Sequence, residues 1–367
     1  MSDILILGGG FAGLACGVTL AACGRRVVLL EKKPHLGGRA YSFKDSETGD
    51  VIDNGQHLFM GCYRRTRGFL GQIGTADRLS LLKDIRVDFA DAAGGRDALA
   101  CPSWLGSPLH LAAGVWGMRG LSWADKWGLR RVDASMRGMR GLPRLPADLD
   151  RLTARQWLDS LGQSRRVQER LFDPIALGAL NDAPEVAAAT GFVQVLREAF
   201  YTDAESARLG LANVGLSDLY TDAARKFIED RGGQVLLNKK VKAIDEGGIT
   251  CEDGAEFRAD FVVATLPPWD LKKLELPAAL RGTWENLSAA PIVSISLWLD
   301  RPVIAERFIG LLGADIQWAF NKSRILSLAG GGQYLALVIS GAHKHVGADP
   351  KALLELAKRD LARCFPE

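Results

Sequence analysis

No uninterrupted apolar stretch of this chain reaches the ~18 residues that cross a bilayer, so no spanning helix is expected. The first apolar run, Ile4-Leu5-Ile6-Leu7, has no basic segment ahead of it and reads as a β-strand, so no signal peptide is expected. Cysteine is sparse. Cys16, Cys23, Cys62, Cys101, Cys251 and Cys364 form no CxxC pair, and the first two fall in a helical pattern as small apolar fillers. A reducing cytoplasm therefore fits better than secretion. Excess charge is missing too: a net +3 without a polybasic tract gives no case for a nucleic-acid partner. There is no GxSxG elbow, cysteine-nucleophile signature, internal repeat or low-complexity segment. His343 and His345 could share one side of a strand, but no acidic or cysteine partner stands at ligand spacing, so no metal site is expected.

What is present is globular. At 367 residues the chain exceeds one typical core, which implies two domains, and 47% hydrophobic against 24% charged residues excludes disorder for most of it.

The first thirty-nine residues carry the strongest signal. The run Ile4–Leu7 leads into Gly8-Gly9-Gly10-Phe11-Ala12-Gly13, a helical pattern from Leu14 to about Cys23, and Gly24. A second apolar run, Val27 to Leu30, ends on Glu31, and Gly37-Gly38-Arg39 follows. Strand, glycine turn, helix and acid-ended strand are the dinucleotide-binding fingerprint in its required context. Gly8 permits the tight turn, Gly10 lets backbone approach a pyrophosphate, and Gly13 lets helix and strand pack closely. The helix N-terminus favours the diphosphate, and Glu31 stands at the distance expected of a ribose-hydroxyl acceptor.

Further on, residues 40–44 and 51–52 read as a hairpin, and the polar cluster Asp53-Asn54-Gly55-Gln56-His57-Leu58 reads as backbone close to a ligand. A helical pattern covers 63–82, and short strands cover 85–100. In the segment 104–140, Trp104, Trp116, Trp123 and Trp127 mix with Arg119, Lys126, Arg130, Arg131, Arg137 and Arg140. Ser122 can cap a helix running to about Met139, with Leu129, Val132, Met136 and Met139 on one face and Trp123 and Trp127 nearly opposite. Such stripes suit peripheral contact with an anionic membrane, which would place the protein at its inner face. The alternative is that the tryptophans pack against the other domain and the arginines are solvated.

Helical patterns follow over 153–161, 166–180 and 185–200, then a loop at 206–218 and a helix over 219–231. Sheet texture returns at 235–237, 241–244, 247–251 and 255–258, with a buried strand at 260–265. Strands at 292–299 and 333–339 and a helix over 350–365 complete the series.

Gly8–Gly13, Glu31, Gly37-Gly38-Arg39 and the late strand at 260–265 together resemble the FAD-dependent amine oxidase and carotenoid desaturase superfamily. NAD-dependent dehydrogenases share the first fingerprint but typically lack the GGR continuation. Within the superfamily, Asp53–Leu58, Asp173-Pro174 with Leu180-Asn181, 291–302 and 317–320 are similar to the hydroxysqualene dehydroxylases. The resemblance implies an α/β fold: a discontinuous Rossmann-like FAD-binding domain (1–75 and 213–270) with an inserted α+β substrate domain of the amine oxidase type (76–212, mostly helical, and 271–345, mostly sheet). A final helix would occupy 346–367.

It further implies FAD as cofactor, held by Gly8, Gly10, Phe11, Ala12 and Gly13 at the diphosphate and by Glu31 at the ribose, with Lys32 flanking. Arg39 would reach the diphosphate or flavin side, Val241 would set its backbone against adenine, and Gly38 and Thr265 would also contact the cofactor. Gly55, Gln56, His57 and Leu58 would lie near the isoalloxazine. Superfamily members end with a further Gly-Asp flavin motif that this chain, ending at Glu367, does not reach, which implies a fragment or a lost contact. The implied reaction is hydride delivery from reduced FAD to hydroxysqualene, a lipophilic isoprenoid, with loss of its hydroxyl. His57 and Asp173 are the candidate acids. Each also has a bland reading, His57 as a backbone hydrogen-bonder and Asp173 as a cap before Pro174. Trp298, Trp318, Phe320 and the 172–200 block would line the tunnel, and the electron donor is open. The rivals are a carotenoid-type desaturase, a flavin amine oxidase and a non-catalytic prenyl-binding protein on the same fold.

Overall fold

In the computed structural model, residues 3–245 and 247–366 are described, Asp3 and Thr283 by backbone alone; Glu367, where the sequence ends, lies outside them. The chain divides into two units. One comprises the chain up to Asn54 with Arg64–Ser80 and Ala212–Ala289; the other comprises Gly55–Tyr63, Leu81–Leu211 and the chain from Ala290. The expected break after 270 falls instead at Ala289, because Leu271, Leu274 and Leu276 pack against the core of Leu5, Val28, Val241 and Ile249. Gly55–Tyr63 groups with the second unit, where Phe59 and Met60 pair with Gly210 and Leu209.

The first unit is built on a parallel four-stranded sheet, ordered Gln234–Leu236, Arg26–Leu30, Asp3–Leu7, Phe261–Ala264. The inner strands read as continuous apolar runs because both faces are covered. Helices Phe11–Ala22 and Leu216–Glu229 cross where Gly17 has no side chain; a Cβ there would stand 2.8 Å from Ile228 Cδ1. The strand expected to be buried at 260–265 is an edge strand, with Phe261 62% exposed. An apolar run does not reveal whether a neighbour covers it. A small antiparallel sheet, Val241–Asp245, Gly248–Cys251 and Glu256–Arg258, turns at Gly254. The helix expected over 63–82 is shorter: Arg64–Gln72 is followed by Gly74 at φ 77°, a 3-10 turn Ala76–Arg78 and the strand Leu79–Leu81. Left-handed glycine ends helices in this way.

The second unit has a six-stranded sheet, ordered Ile292–Leu299, Gln333–Ser340, Trp318–Asn321, Phe308–Leu312, Ile85–Asp91, Arg96–Cys101. Among its ladders, Phe308–Leu312 with Ile85–Asp91 is parallel and the others are antiparallel. Two of these strands, Phe308–Leu312 and Trp318–Asn321, have no counterpart in the sequence reading. A helical core of Trp157, Leu171, Phe172, Phe192, Val193 and Leu196 continues the inner side of this unit. The helix expected over 122–139 is two, Trp123–Gly128 and Arg130–Met139, and Ser122 with Asp125 forms a full capping box. The pattern at 166–180 contains a π turn, Gln168–Phe172, before Asp173–Leu180. The loop expected at 206–218 holds the buried strand Leu209–Ala212 and the start of the helix at Leu216. His343–His345 is a 3-10 turn rather than a strand, with His343 Nε2 3.5 Å from Asp182 Oδ1.

Candidate functional site

In the first unit the chain leaves the strand Asp3–Leu7 through Gly8 at φ 106°, a conformation L side chains rarely adopt. The Gly9 N–H donates to Glu31 Oε2 at 2.7 Å, and the Lys33 N–H donates to Glu31 Oε1 at 2.9 Å. Glu31 is 5% exposed, so two backbone donors fix its carboxylate and each oxygen keeps a lone pair for a sugar hydroxyl. The helix Phe11–Ala22 opens at Gly10 with no side-chain cap and no acid in its first turn, which leaves its N-terminus to an external anion. A Cβ on Gly10 would meet nothing nearer than Gly38 Cα at 3.8 Å, whereas a Cβ on Gly13 would stand 1.9 Å from Gly8 O. Gly10 therefore faces open space, and Gly13 is packed shut.

Thr265 supports this turn, its hydroxyl 2.8 Å from Leu7 O and 3.2 Å from Gly8 O. The Phe11 ring points inward and stacks on Tyr220 at 3.8 Å, and Ala12 is exposed. The Tyr220 hydroxyl lies 3.0 Å from Gly37 O and 2.9 Å from Ala40 O, which pins the Gly37-Gly38-Arg39 loop. Arg39 is exposed, with its guanidinium 5.3 Å from the Trp269 ring centre. Lys32 reaches Asp270 at 2.8 Å. Val241 pairs with Cys251 beside an irregularity in the ladder, two residues beyond Lys239, whose N–H donates to Glu31 O.

In the second unit Gly55 sits at φ 87° and the His57 Nδ1–H donates to Gly55 O at 2.9 Å. Gln56 Oε1 accepts from Lys322 Nζ at 2.9 Å, and Lys322 is 1% exposed. Leu58 packs with Leu209, Leu211, Phe308 and Phe320. Asp173 opens its helix rather than capping it, and its Oδ2 holds Arg155 Nη2 at 2.8 Å. Arg155 also binds Glu185 at 2.9 Å and Gln168. Asp173 Oδ1 is buried without a hydrogen-bond partner, and burial raises this carboxyl above the usual range despite the Arg155 guanidinium.

Asp173 lines a cavity of about 180 Å³ with Phe89, Pro174, Leu177, Leu311 and Gln317. Trp318 Nε1, also buried without a partner, stands 3.5 Å from where a Cβ on Gly178 would lie. Among the described residues no hydrogen bond joins His57 to Asp173. Of the expected lining, Trp318 packs on Phe89, Phe320 is core beside Phe308, and Trp298 stacks on Tyr334 on an edge strand, 39% exposed. Gly9, Tyr220, Arg155 and Lys322 were not singled out from sequence. Only Gly9, inside the fingerprint, carried a local signal.

The open face of Gly10, the uncapped helix end and the fixed Glu31 fit the adenosine diphosphate half of a dinucleotide. A parallel sheet with that turn defines the class, a dinucleotide-binding α/β protein. The sequence profile described as flavin containing amine oxidoreductase matches residues 11–367. The chain belongs to that family, so its cofactor is FAD and its class that of the FAD-dependent oxidoreductases. A 15-cis-phytoene desaturase of Capsicum annuum is 25% identical over 393 residues, covering 100% of this chain and 65% of the relative. The chain thus spans just under two thirds of that relative's length. A hydroxysqualene dehydroxylase of Sinorhizobium fredii is 27% identical over 343 residues, covering 89% of this chain and 75% of the relative. Among solved structures, an oxidoreductase from Methanosarcina mazei superposes with TM-score 0.75 at 17% identity, covering 99% of this chain and 85% of the other. Cyclohexylamine oxidase from Brevibacterium oxydans gives 0.72 at 18% identity, covering 99% and 81%. These two likenesses concern the fold.

Proposed function

We propose that the protein removes the allylic hydroxyl of hydroxysqualene reductively, giving squalene. The observation that carries this reading is Asp173, which lines a largely apolar cavity and whose Oδ1 is buried without a hydrogen-bond partner. Burial favours its protonated form, and a departing hydroxyl needs a proton. Arg155 grips the other oxygen and fixes the direction of transfer. Asp173 protonates the hydroxyl, the carbon–oxygen bond breaks, water leaves, and the neighbouring alkene spreads the charge. Phe89, Pro174, Leu177 and Leu311 give this cavity an apolar wall suited to a hydrocarbon chain. FAD, when bound and reduced, supplies the hydride that forms the new carbon–hydrogen bond; an external two-electron donor restores it.

Gly10 to Gly13 and Arg39 hold the diphosphate in this reading, Glu31 the ribose, Val241 the adenine, and Gly55 to Leu58 the isoalloxazine region. The His57 ring is tied to backbone through Nδ1–H and Gly55 O, whereas Asp173 keeps one buried oxygen without a partner. A peripheral membrane contact through 104–140 would bring in the lipophilic substrate.

A phytoene-type desaturation, with hydride moving the other way, is the second reading, favoured by the match to a desaturase over 100% of this chain and 65% of the relative. One experiment separates them. Flavin-loaded protein is incubated anaerobically with hydroxysqualene and a reductant, and in parallel with phytoene and an electron acceptor, with products identified by mass spectrometry. Squalene in the first arm supports the proposal. Dehydrogenated phytoene without squalene establishes the second reading, and neither product, from protein that stays colourless with added FAD, points to a non-catalytic prenyl binder.

A further inference from the structure

The largest cluster of exposed aromatic surface takes no part in either site. In the second unit Trp104 is 81% exposed, Leu109 57%, Trp116 52%, Trp123 70% and Trp127 61%. The helix Leu109–Gly117 contains no charged residue, and its sides differ. His110, Gly114 and Val115 are buried, whereas Leu109, Ala112 and Trp116, three and four residues apart, share the exposed side. The turn that follows brings Trp123 against Trp116, edge to face at 4.9 Å. Lys126 holds the two together: its ammonium donates to Trp116 O at 2.7 Å and lies 5.6 Å from the Trp123 ring centre. Arg130 lies over Trp127 at 4.3 Å.

Charge is concentrated here as well. Residues 104–144 contain seven Lys and Arg against two Asp, an excess of five in a chain whose net charge is +3. Both acids are engaged, Asp125 by Ser122 and Ser164 and Asp133 by Arg137. The surface therefore offers aromatic rings set among cations that its own acids leave largely uncompensated.

We infer that the helices Leu109–Gly117 and Trp123–Gly128, with the Trp104 loop, dock flat on an anionic phospholipid surface. Indole rings favour the headgroup boundary, where the apolar body and the N–H are both satisfied, and Lys and Arg pair with lipid phosphates. A second copy of the chain is a poorer occupant, since it would set one excess of positive charge against another. No helix among the described residues is long and apolar enough to span, so contact is with one leaflet face. This deepens the peripheral-contact reading above, and its test involves no turnover, so it stands or falls apart from the substrate assignment.

The flavin-loaded protein is mixed with vesicles of phosphatidylcholine alone or with phosphatidylglycerol added, and followed by co-sedimentation and tryptophan emission. The expected result is binding to the anionic vesicles that weakens with salt, with emission shifted to the blue and quenched by brominated lipid. W123S with W127S should lower the apparent affinity roughly tenfold or more. K126Q with R130Q should reduce the preference for anionic vesicles and the salt dependence. All four side chains lie at the surface, and unchanged circular dichroism and flavin absorbance confirm the fold. Unchanged binding by both double variants overturns the inference. So does an absence of vesicle binding, and light scattering that then shows a dimer lost in W123S/W127S would assign the face to a second copy.

Discussion

A methyl group at position 13 has no room. Its carbon would stand 1.9 Å from Gly8 O and 2.8 Å from Thr265 Oγ1, so Gly13→Ala must push the helix Phe11–Ala22 off the turn. Overpacking of this kind costs about 1–3 kcal/mol, read as a lower urea midpoint, and FAD binding should go with it. At Gly10 the same methyl meets nothing within 3.8 Å, so Gly10→Ala should lower stability only by the N-cap difference, about 0.5–1 kcal/mol, yet block the flavin. Similar losses of stability in both variants would refute this division of labour. Asp173 is the other residue-scale case. Its carboxyl is raised by burial, so the folded state keeps a proton that the unfolded chain releases near 3.8. The group's contribution to stability is therefore fullest at low pH and declines as pH rises from 3.8 through the raised value. A proton donor follows the same limb: turnover should fall as pH rises through that value. Asp173→Asn should lose about 10²–10⁴ in rate and the limb together, and a limb retained in Asp173→Asn would assign the acid elsewhere. Glu31 and the glycines were legible because their spacing along the chain encodes the turn. Tyr220 was not, because its bond to Gly37 spans 183 residues and leaves no local trace.

Elements were legible where period and punctuation agreed. The hairpin at 253–254 and the strand Ile292–Leu299 carry turn residues or alternation that specify them. The strands Phe308–Leu312 and Trp318–Asn321 are short, and all but Trp318 of their residues are buried, so they alternate too little to announce a sheet. Phe261–Ala264 failed in the opposite sense: its apolar run was real, its expected burial was not. Ser122 is an element-scale test. Its hydroxyl caps the six-residue helix Trp123–Gly128, and Asp125 returns the bond to the Ser122 N–H at 2.9 Å. Ser122→Ala should cost about 0.5–2 kcal/mol in denaturant unfolding. A helix this short has little propensity of its own to fall back on, so it should also loosen its end near Trp127. No change in either the unfolding midpoint or proteolysis at Trp127–Gly128 would mean that tertiary packing alone holds it.

At the scale of the molecule, three chain segments build the nucleotide-binding unit, and the sheet is completed by strands more than two hundred residues from its opening turn. The interleaving was legible in outline, since sheet texture on both sides of a helical block implies a split domain. The exact breaks were not, because 271–289 joins the first unit through Leu274 and its neighbours, a matter of packing rather than of composition. This arrangement makes FAD a stabiliser of distant segments at once. A ligand that binds only the folded unit, at a free concentration about 100-fold above its Kd, adds about 2.7 kcal/mol. Calorimetry should therefore show the transition of the nucleotide-binding unit move up with added FAD. Gly10→Ala is the control, since its apo-protein should melt near the wild type but gain nothing from FAD. An equal upward shift in that variant would mean that the flavin is held without the glycine turn, and the site described around Gly10 and Glu31 would be the wrong one.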